Sequence, residues 1–343
     1  MNVAIVNDSR MAAEILRRIL AELDDFTLAW TAYSGEEALR LCGKSRPDII
    51  LMDLIMPGID GAETTRRIMQ TTPCVILVVT ATTVGNRDKV FEAMGNGALD
   101  AVNTPVLGSG SNLDGAKPLI QKLRTVSRLV VGGNAPKAPA FIDPKGLASD
   151  SSKIAVIAIG ASTGGPQALA EILSYFPIDF QAAVLVVQHV DEQFTPGLAS
   201  WLQHNSKIPV RIARHGERIS PGGVWLAGTR ENLIYQNGTM LYTPAPEDAA
   251  HSPSIDVLFL SLAQQRLATR VGVLLTGMGR DGAAGLLALR KSGALTIAQN
   301  AATSVVYGMP KAAADLEAAT EILPLSAIGP RICEYVPGRK AAQ

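Results

Sequence analysis

Residues 154–166 read IAVIAIGASTGGP and decide the fold of the second half of the chain. The six apolar residues at the start are typical of a strand buried on both faces of a parallel sheet. Glycines surround Ser162 directly after this run, and residues 167–173 have a helical composition. The glycines permit a sharp turn, and the amides that open the helix, at Thr163 and Gly164, can face an oxyanion. We therefore predict a strand–turn–helix unit that presents Ser162 as a nucleophile.

A phosphate site is the first alternative for this glycine-rich turn. Gly160, Gly164 and Gly165 do not have the Gly-x-Gly-x-x-Gly spacing, and Asp179 lies before the next strand rather than at its end. A P-loop would also need a lysine, which residues 160–165 lack. The turn therefore favours serine chemistry over nucleotide binding.

Two further candidates follow predicted strands of the same sheet. The run at 183–187 leads into His189, and the run at 271–275 leads into a turn that contains Asp281. Singly, such a histidine is more often structural, and Asp281 more often caps the helix that begins near residue 283. Because parallel strands end at one edge of a sheet, all three together predict a triad in which His189 deprotonates Ser162 and Asp281 stabilises the imidazolium. The remaining histidines lie in polar or loop segments typical of the surface: His204, His215 and His251.

Short apolar runs also alternate with helical patterns in the first hundred residues. This rhythm predicts a parallel sheet with strands at 3–6, 49–52, 75–79 and 101–102, a first helix at 11–23 and a last helix at 119–130. Residues 132–151 are rich in Gly, Pro and Ser and are interpreted as a linker. Beyond them we expect further strands at 223–226 and 295–299 and a hairpin around Asn237-Gly238.

The first domain carries an acid after each of two strands. Asp8 and Asp53 would meet at the sheet edge, with Thr80 at the end of a third strand. Convergent carboxylates and a hydroxyl suit Mg²⁺ and a phosphoryl group, with Asp53 as the nucleophile. Either acid alone is more simply explained as a helix cap.

The composition limits the possible functions. The 343 residues are 47% apolar and carry 31 basic and 31 acidic side chains, so no net field attracts nucleic acid or an anionic membrane. The sequence predicts neither a signal peptide nor a membrane-spanning run, and we expect a cytoplasmic protein. Three widely spaced cysteines support neither a disulfide framework nor a zinc site and are expected to be buried thiols: Cys42, Cys74 and Cys333.

Residues 1–130, and most specifically the segment DLIMPGIDG at 53–61, resemble response-regulator receiver domains. The resemblance implies that Asp53 accepts a phosphoryl group from a histidine kinase and that Asp8 helps to bind Mg²⁺. This chain departs from the family at three positions. Asn7 replaces an acid, Thr104 stands where a lysine precedes proline, and Ala101 replaces an aromatic switch residue.

The whole chain resembles chemotaxis-type protein-glutamate methylesterases, including their surface-sensing, WspF-like branch. The segments that carry this resemblance are GASTGG (160–165), QHV (188–190), PSIDVLF (253–259), TGMGRDG (276–282) and VYGMP (306–310). It implies hydrolysis of glutamate γ-methyl esters, and often glutamine deamidation, on the cytoplasmic helices of methyl-accepting receptors, with the Met278 amide assisting the oxyanion. It also implies that the receiver covers the catalytic cleft until Asp53 is phosphorylated.

We therefore predict an α/β protein of two domains. A flavodoxin-like receiver with a parallel five-stranded sheet spans 1–131, the linker spans 132–151, and a doubly wound esterase domain with an antiparallel hairpin spans 152–343. Three alternatives stay open: a receptor-binding module without turnover, an enzyme that acts mainly on glutamine, and an esterase whose receiver no longer switches.

Overall fold

The computed structural model describes residues 1–80, 87–105, 114–131, 154–246 and 252–336. The chain forms two compact units, Met1–Asn134 and Ala135–Gln343. The predicted linker and His251 lie outside the described residues. The α/β class of both units is confirmed, whereas the predicted domain boundaries stay predictions.

The first unit contains a five-stranded sheet in the order β2-β1-β3-β4-β5, and every strand pair is parallel. This arrangement confirms the predicted flavodoxin-like fold. The strands are β1 (Asn2–Val6), β2 (Thr27–Ala32), β3 (Ile49–Met52), β4 (Val75–Thr80) and β5 (Asp100–Asn103). The helices are α1 (Arg10–Ala21), α2 (Gly35–Lys44), α3 (Gly61–Thr71), α4 (Arg87–Gly95) and α5 (Lys117–Val131).

The second unit contains a seven-stranded parallel sheet in the order β14-β13-β12-β6-β7-β9-β8. A separate antiparallel pair, β10-β11, turns at Asn237-Gly238 as predicted. The strands are β6 (Ala155–Ala161), β7 (Ala182–Gln188), β8 (Val210–Ile212), β9 (Gly223–Leu226), β10 (Asn232–Gln236), β11 (Thr239–Thr243), β12 (Arg270–Leu274), β13 (Leu295–Gln299) and β14 (Glu321–Leu323). The helices are α6 (Gly165–Ser174), α7 (Thr195–His204), α8 (Ile255–Ala263), α9 (Ala283–Lys291), α10 (Met309–Asp315) and α11 (Leu325–Tyr335).

Strand β6 lies at the centre of the second sheet, and each of its residues is buried. Its neighbours are β7 on one side and β12 on the other, and the register aligns Ala161 with Gln188 and Gly160 with Leu274. The chain runs from β6 to β7 on one side and reaches β12 on the other only much later. The carboxyl end of β6 is therefore a topological switch point, where open α/β sheets place their sites.

The cysteines fit the expectation only in part. Among the described residues all three are free thiols, but Cys42 alone is buried, and Cys74 and Cys333 are half-buried. Within the described ranges, no helix combines the length and apolar composition that crossing a membrane requires.

Candidate active site

The catalytic candidates follow three adjacent strands. Ser162 and His189 come directly after β6 and β7, and the His189 amide donates to the Ala161 carbonyl at 3.0 Å. On the other side, the Ser162 amide donates to the Thr276 carbonyl, also at 3.0 Å, in the loop that leads to Asp281. Neighbouring parallel strands are ~4.8 Å apart, so this register places Ser162 between the segments that carry the other two residues.

His189 and Asp281 form a direct hydrogen bond, although 92 residues separate them in sequence. His189 Nε2 lies 2.8 Å from Asp281 Oδ2, and the two side chains are only 11% and 8% exposed. A carboxylate can only accept, so Nε2 carries the proton in this pair. Nδ1 is then the ring nitrogen that can accept a proton from a nucleophile.

Asp281 is held at the amino terminus of α8, not of the helix that follows it. Its Oδ2 accepts the Ile255 amide at 2.7 Å, and its Oδ1 accepts the Asp256 amide at 3.0 Å and the Ser254 hydroxyl at 2.8 Å. Burial alone would raise the pKa of Asp281, but the His189 hydrogen bond and these amides outweigh burial and lower it to about 2. The carboxylate is therefore ionised and fixed in orientation.

The nucleophile turn has the Gly-x-Ser-x-Gly spacing, GASTG at 160–164, and the strand-to-helix geometry of a nucleophile elbow. Gly164 has a φ of 77°, a conformation that favours glycine, and no side chain caps the first turn of α6. The amides at this helix start can therefore stabilise negative charge near Ser162. Thr163 is buried in the same turn.

The loop after β12 passes beside the nucleophile. A Cβ added to Gly277 would lie 2.7 Å from Ser162 Cβ, so only a glycine leaves room for the serine here. Met278, to whose amide the resemblance assigns the oxyanion, is the next residue in this loop. The Gly277 carbonyl accepts the Met309 amide at 2.8 Å, which secures the loop to the start of α10.

Two polar residues that support this site were not assigned a role from the sequence. The buried Gln188 donates through Nε2 to the carbonyls of both Ser162, at 2.8 Å, and His189, at 3.1 Å. Thr276 is fully buried, and its hydroxyl bonds the Thr163 carbonyl at 3.0 Å and the Val306 amide at 2.9 Å. Their signal in the sequence was a polar residue at the end of an otherwise apolar strand.

The other described histidines have local structural contacts. His204 is exposed at the end of α7 with Nδ1 2.8 Å from the Ser200 carbonyl oxygen, and the exposed His215 accepts the Tyr242 amide. Both agree with a surface position.

The receiver acids also converge. Asp53 follows β3, and its Oδ1 accepts the Leu54 amide at 2.7 Å. Burial raises the pKa of Asp53 above its usual value and the charge of Asp8 adds to the rise, while the Ile55 and Leu54 amides and the Thr80 hydroxyl oppose it. The structure thus brings together Asp8, Asp53 and Thr80.

The donor set of this acidic site fits a divalent cation with two carboxylates. The carboxylates of Asp8 and Asp53 repel each other, and a bound cation would relieve this repulsion. Asn7 is buried and its Oδ1 accepts the Ser9 amide at 2.9 Å, so it supports the backbone. In the part of the chain that the structure describes, no group of three His, Cys, Asp or Glu side chains could hold a metal.

Two lysines of the receiver pair with acids other than Asp8 and Asp53. Lys89 pairs with Asp60 at 2.7 Å, and Lys122 pairs with Asp100. Thr104 stands where receivers have a lysine, and its amide donates to the Thr80 carbonyl at 3.1 Å. The buried Ala101 has no ring that could change rotamer.

A His189–Asp281 pair beside the Ser162 turn at a switch point, in a chain that also has a receiver-like acidic site, fits one class: a two-domain serine hydrolase with a receiver domain. A family model described as CheB methylesterase matches residues 157–332, and one described as response regulator receiver domain matches residues 3–108. The chain belongs to the CheB methylesterase family.

Relatives match nearly the whole length of this chain. A protein-glutamate methylesterase/protein-glutamine glutaminase of Cupriavidus pinatubonensis is 51% identical over 335 residues, 97% of each chain. One from Pseudomonas aeruginosa is 48% identical over 97% of this chain and 99% of its own. The crystal structure of the Thermotoga maritima CheB methylesterase catalytic domain is 33% identical, with a TM-score of 0.51 over 53% of this chain and 99% of that one.

Proposed function

We propose that this chain hydrolyses glutamate γ-methyl esters on methyl-accepting chemotaxis-type receptors and releases methanol. Deamidation of glutamine at the same positions is a second reaction of the same site. The hydrogen bond between His189 and Asp281, beside the Ser162 turn, is the observation that carries the proposal. The names of the relatives, protein-glutamate methylesterase/protein-glutamine glutaminase, support the choice of substrate.

The reaction begins when Ser162 Oγ attacks the ester carbonyl carbon and its proton passes to His189 Nδ1. Asp281 stabilises the imidazolium, and the amides of Thr163, Gly164 and Met278 face the oxygen that becomes negative. His189 then gives the proton to the methoxy group, which leaves as methanol. Water attacks the remaining glutamyl ester of Ser162 and, again through His189, restores the serine and releases a glutamate side chain.

Glutamine follows the same route, with ammonia as the leaving group. Both substrates give the same acyl-enzyme, so the two reactions differ only in the acylation step, where the leaving groups differ. Measurement of methanol and ammonia from matched receptor fragments gives the ratio of the two rates directly.

The test of the serine mechanism is methanol release from a methylated receptor fragment by the full chain and by Ser162→Ala. Ser174→Ala is a matched control, because Ser174 is an exposed residue of α6 that bonds only within its own helix. We expect Ser162→Ala to lose turnover while Ser174→Ala retains it, with both variants folded by circular dichroism. Equal release from Ser162→Ala would reject the mechanism, and no release by any variant would favour a receptor-binding module.

We also propose that phosphorylation of Asp53 by a chemotaxis-type histidine kinase raises this activity. Asp8 and Asp53 would hold Mg²⁺, which when bound would neutralise charge on the phosphoryl group. The substitutions at Asn7 and Thr104 favour a second candidate, an esterase whose receiver no longer switches. Beryllofluoride with Mg²⁺ should accelerate methanol release by the parent chain but not by Asp53→Asn. An identical rate for both would support the second candidate.

A further inference from the structure

Asp256 is a buried acid next to the triad to which the reaction above assigns no role. It is the second residue of α8, and its amide donates to Asp281 Oδ1 at 3.0 Å. Its own side chain faces the other way, where Oδ1 accepts the Gly285 amide of α9 at 2.6 Å. Asp281 thus caps α8, which contains Asp256, and Asp256 caps α9, which follows Asp281.

This crosswise capping is needed because α9 lacks an ordinary cap. Its N-cap residue, Gly282, has no side chain and adopts a φ of 88°. A Cβ added to Gly285 would lie 2.8 Å from the Asp256 carbonyl oxygen, so the two helix starts are in close backbone contact. Because Gly285 is only four residues after Asp281, the Asp256 side chain restrains the backbone that carries the triad carboxylate.

The charge of Asp256 is not required for this hydrogen bond. An asparagine would offer the same acceptor oxygen to the Gly285 amide. The charge itself is unfavourable in this place, because burial raises the pKa of Asp256 to about 6 and the nearby Asp281 adds to the rise. The elements packed on α8 are α9, β6, β7 and β10. Of their described titratable groups, Arg290 and Lys291 lie at the distal end of α9, β6 and β7 have none, and β10 contributes Tyr235. The charge that acts on Asp256 is therefore that of Asp281, whose carboxylate bonds His189.

We propose that Asp256 is a positioning residue for the esterase reaction: it holds Asp281 against His189 and supplies a second negative charge behind that pair. The charge favours the step in which His189 takes the Ser162 proton, because it stabilises the imidazolium. This inference rests on the proposed function.

The test compares two substitutions of Asp256 in the full chain. Asp256→Asn retains the acceptor for Gly285 and removes the charge, whereas Asp256→Ala removes both. Asp315→Asn is a matched control, because Asp315 is an exposed acid at the end of α10 that pairs with Lys311. Methanol release is measured as kcat and KM over pH, with thermal unfolding of each variant.

We expect Asp256→Asn to lower kcat about fivefold without a change in KM or a lower unfolding temperature. The acid limb of its pH profile should move to lower pH, because the imidazolium loses a neighbouring charge. Asp256→Ala should lower kcat further and also lower the unfolding temperature, and Asp256→Glu should recover part of the rate. A parent-like kcat and pH profile in Asp256→Asn would overturn the proposal and leave Asp256 a helix cap.

Failure of the proposed function looks different, because the parent chain would then release no more methanol than Ser162→Ala. In that case the ring protons of His189, assigned in NMR spectra by their loss in His189→Gln, supply an independent readout. Their titration midpoint should move to lower pH in Asp256→Asn and stay unchanged in Asp315→Asn. An unchanged midpoint in Asp256→Asn would again overturn the inference.

Discussion

Replacement of Asp281 by asparagine tests the site most directly, because one atom changes while the shape of the side chain does not. The carboxylate accepts hydrogen bonds from Ser254, Ile255, Asp256, Gly282 and His189. An asparagine Nδ2 in place of Oδ2 would face the Ile255 amide and His189, and in place of Oδ1 it would face the other three donors. Either orientation therefore leaves at least one backbone amide opposite another donor.

The cost of Asp281→Asn can be estimated in two ways. The pKa of Asp281 is lowered from 3.8 to about 2, and a pKa lowered by this amount corresponds to about 2–3 kcal/mol of stability at neutral pH. Loss of one or two buried, charge-assisted hydrogen bonds costs about 2–4 kcal/mol, which agrees. For a domain of this size the unfolding temperature should fall by roughly 4–12 °C.

The effect on catalysis should be larger. With an amide beside Nε2, His189 can adopt the tautomer with the proton on Nδ1, which cannot accept the Ser162 proton. The equivalent change in the chymotrypsin triad lowers kcat by about 10⁴, and we expect a loss of that order here. The assay is methanol release by the full chain at neutral pH, with Asp315→Asn as the control.

The pH dependence of stability supplies an independent check of this reasoning. The folded pKa of Asp281 is depressed, so its contribution is present above the unfolded value of 3.8 and is lost as pH falls towards 2. The difference in stability between the parent chain and Asp281→Asn should therefore shrink below about pH 4. A kcat within about tenfold of the parent, or a stability difference that does not depend on pH, would refute the role given to Asp281.

Three further predictions follow from individual contacts. A Cβ on Gly165 would lie 2.0 Å from Gln188 Oε1, so Gly165→Ala should lower kcat at least about tenfold and the free energy of unfolding by about 1–3 kcal/mol. The control is Gly43→Ala, because no atom lies close to a Cβ at Gly43, and equal rates for the two variants would contradict the packing argument. Burial raises the pKa of Asp256 from 3.8 to about 6, so the folded parent chain binds more protons than the unfolded one between these pH values and loses stability as pH rises. Asp256→Asn should therefore gain up to about 3 kcal/mol of stability relative to the parent across this pH range. Urea titrations at both ends of the range measure the difference, and a difference that does not change with pH would contradict the prediction. Asn7→Asp adds a carboxylate beside Asp8 and should lower the Mg²⁺ concentration for half-maximal phosphorylation of Asp53 about tenfold or more; an unchanged concentration would show that Asn7 is not beside the metal.

The central strands were predictable because burial on both faces leaves a continuous apolar run. Strands β6 and β7 are such runs, and each begins or ends within one residue of its predicted bounds. The edge strands β8 and β14 were not predicted. Each has only three residues and is partly exposed, and an apolar segment this short also occurs by chance outside strands. Strand β2 was also not located, because polar and small residues alternate on its exposed side.

The triad candidates could be identified from strand ends, since parallel strands expose their carboxyl ends at one edge. Residues that support the triad could not, because their role depends on partners far away in sequence. Gln188 reads as the last residue of a strand, and only the fold shows that its amide joins the carbonyls of Ser162 and His189. Ser254 and Asp256 read as the start of an amphipathic helix, and their contact with a loop 25 or more residues later is a tertiary feature.

Asp281 shows that a structural role and a catalytic role of one residue need not exclude each other. The sequence allowed Asp281 to cap a helix or to orient His189, and we expected the cap, if present, on the helix that follows it. In the structure the carboxylate caps α8 and contacts His189 with the same oxygen, Oδ2. The helix amides keep the carboxylate ionised and fixed, which is the property that its catalytic partner requires. Capping is therefore how this fold positions the acid of the predicted triad, and a substitution that weakens the cap should also weaken the contact with His189.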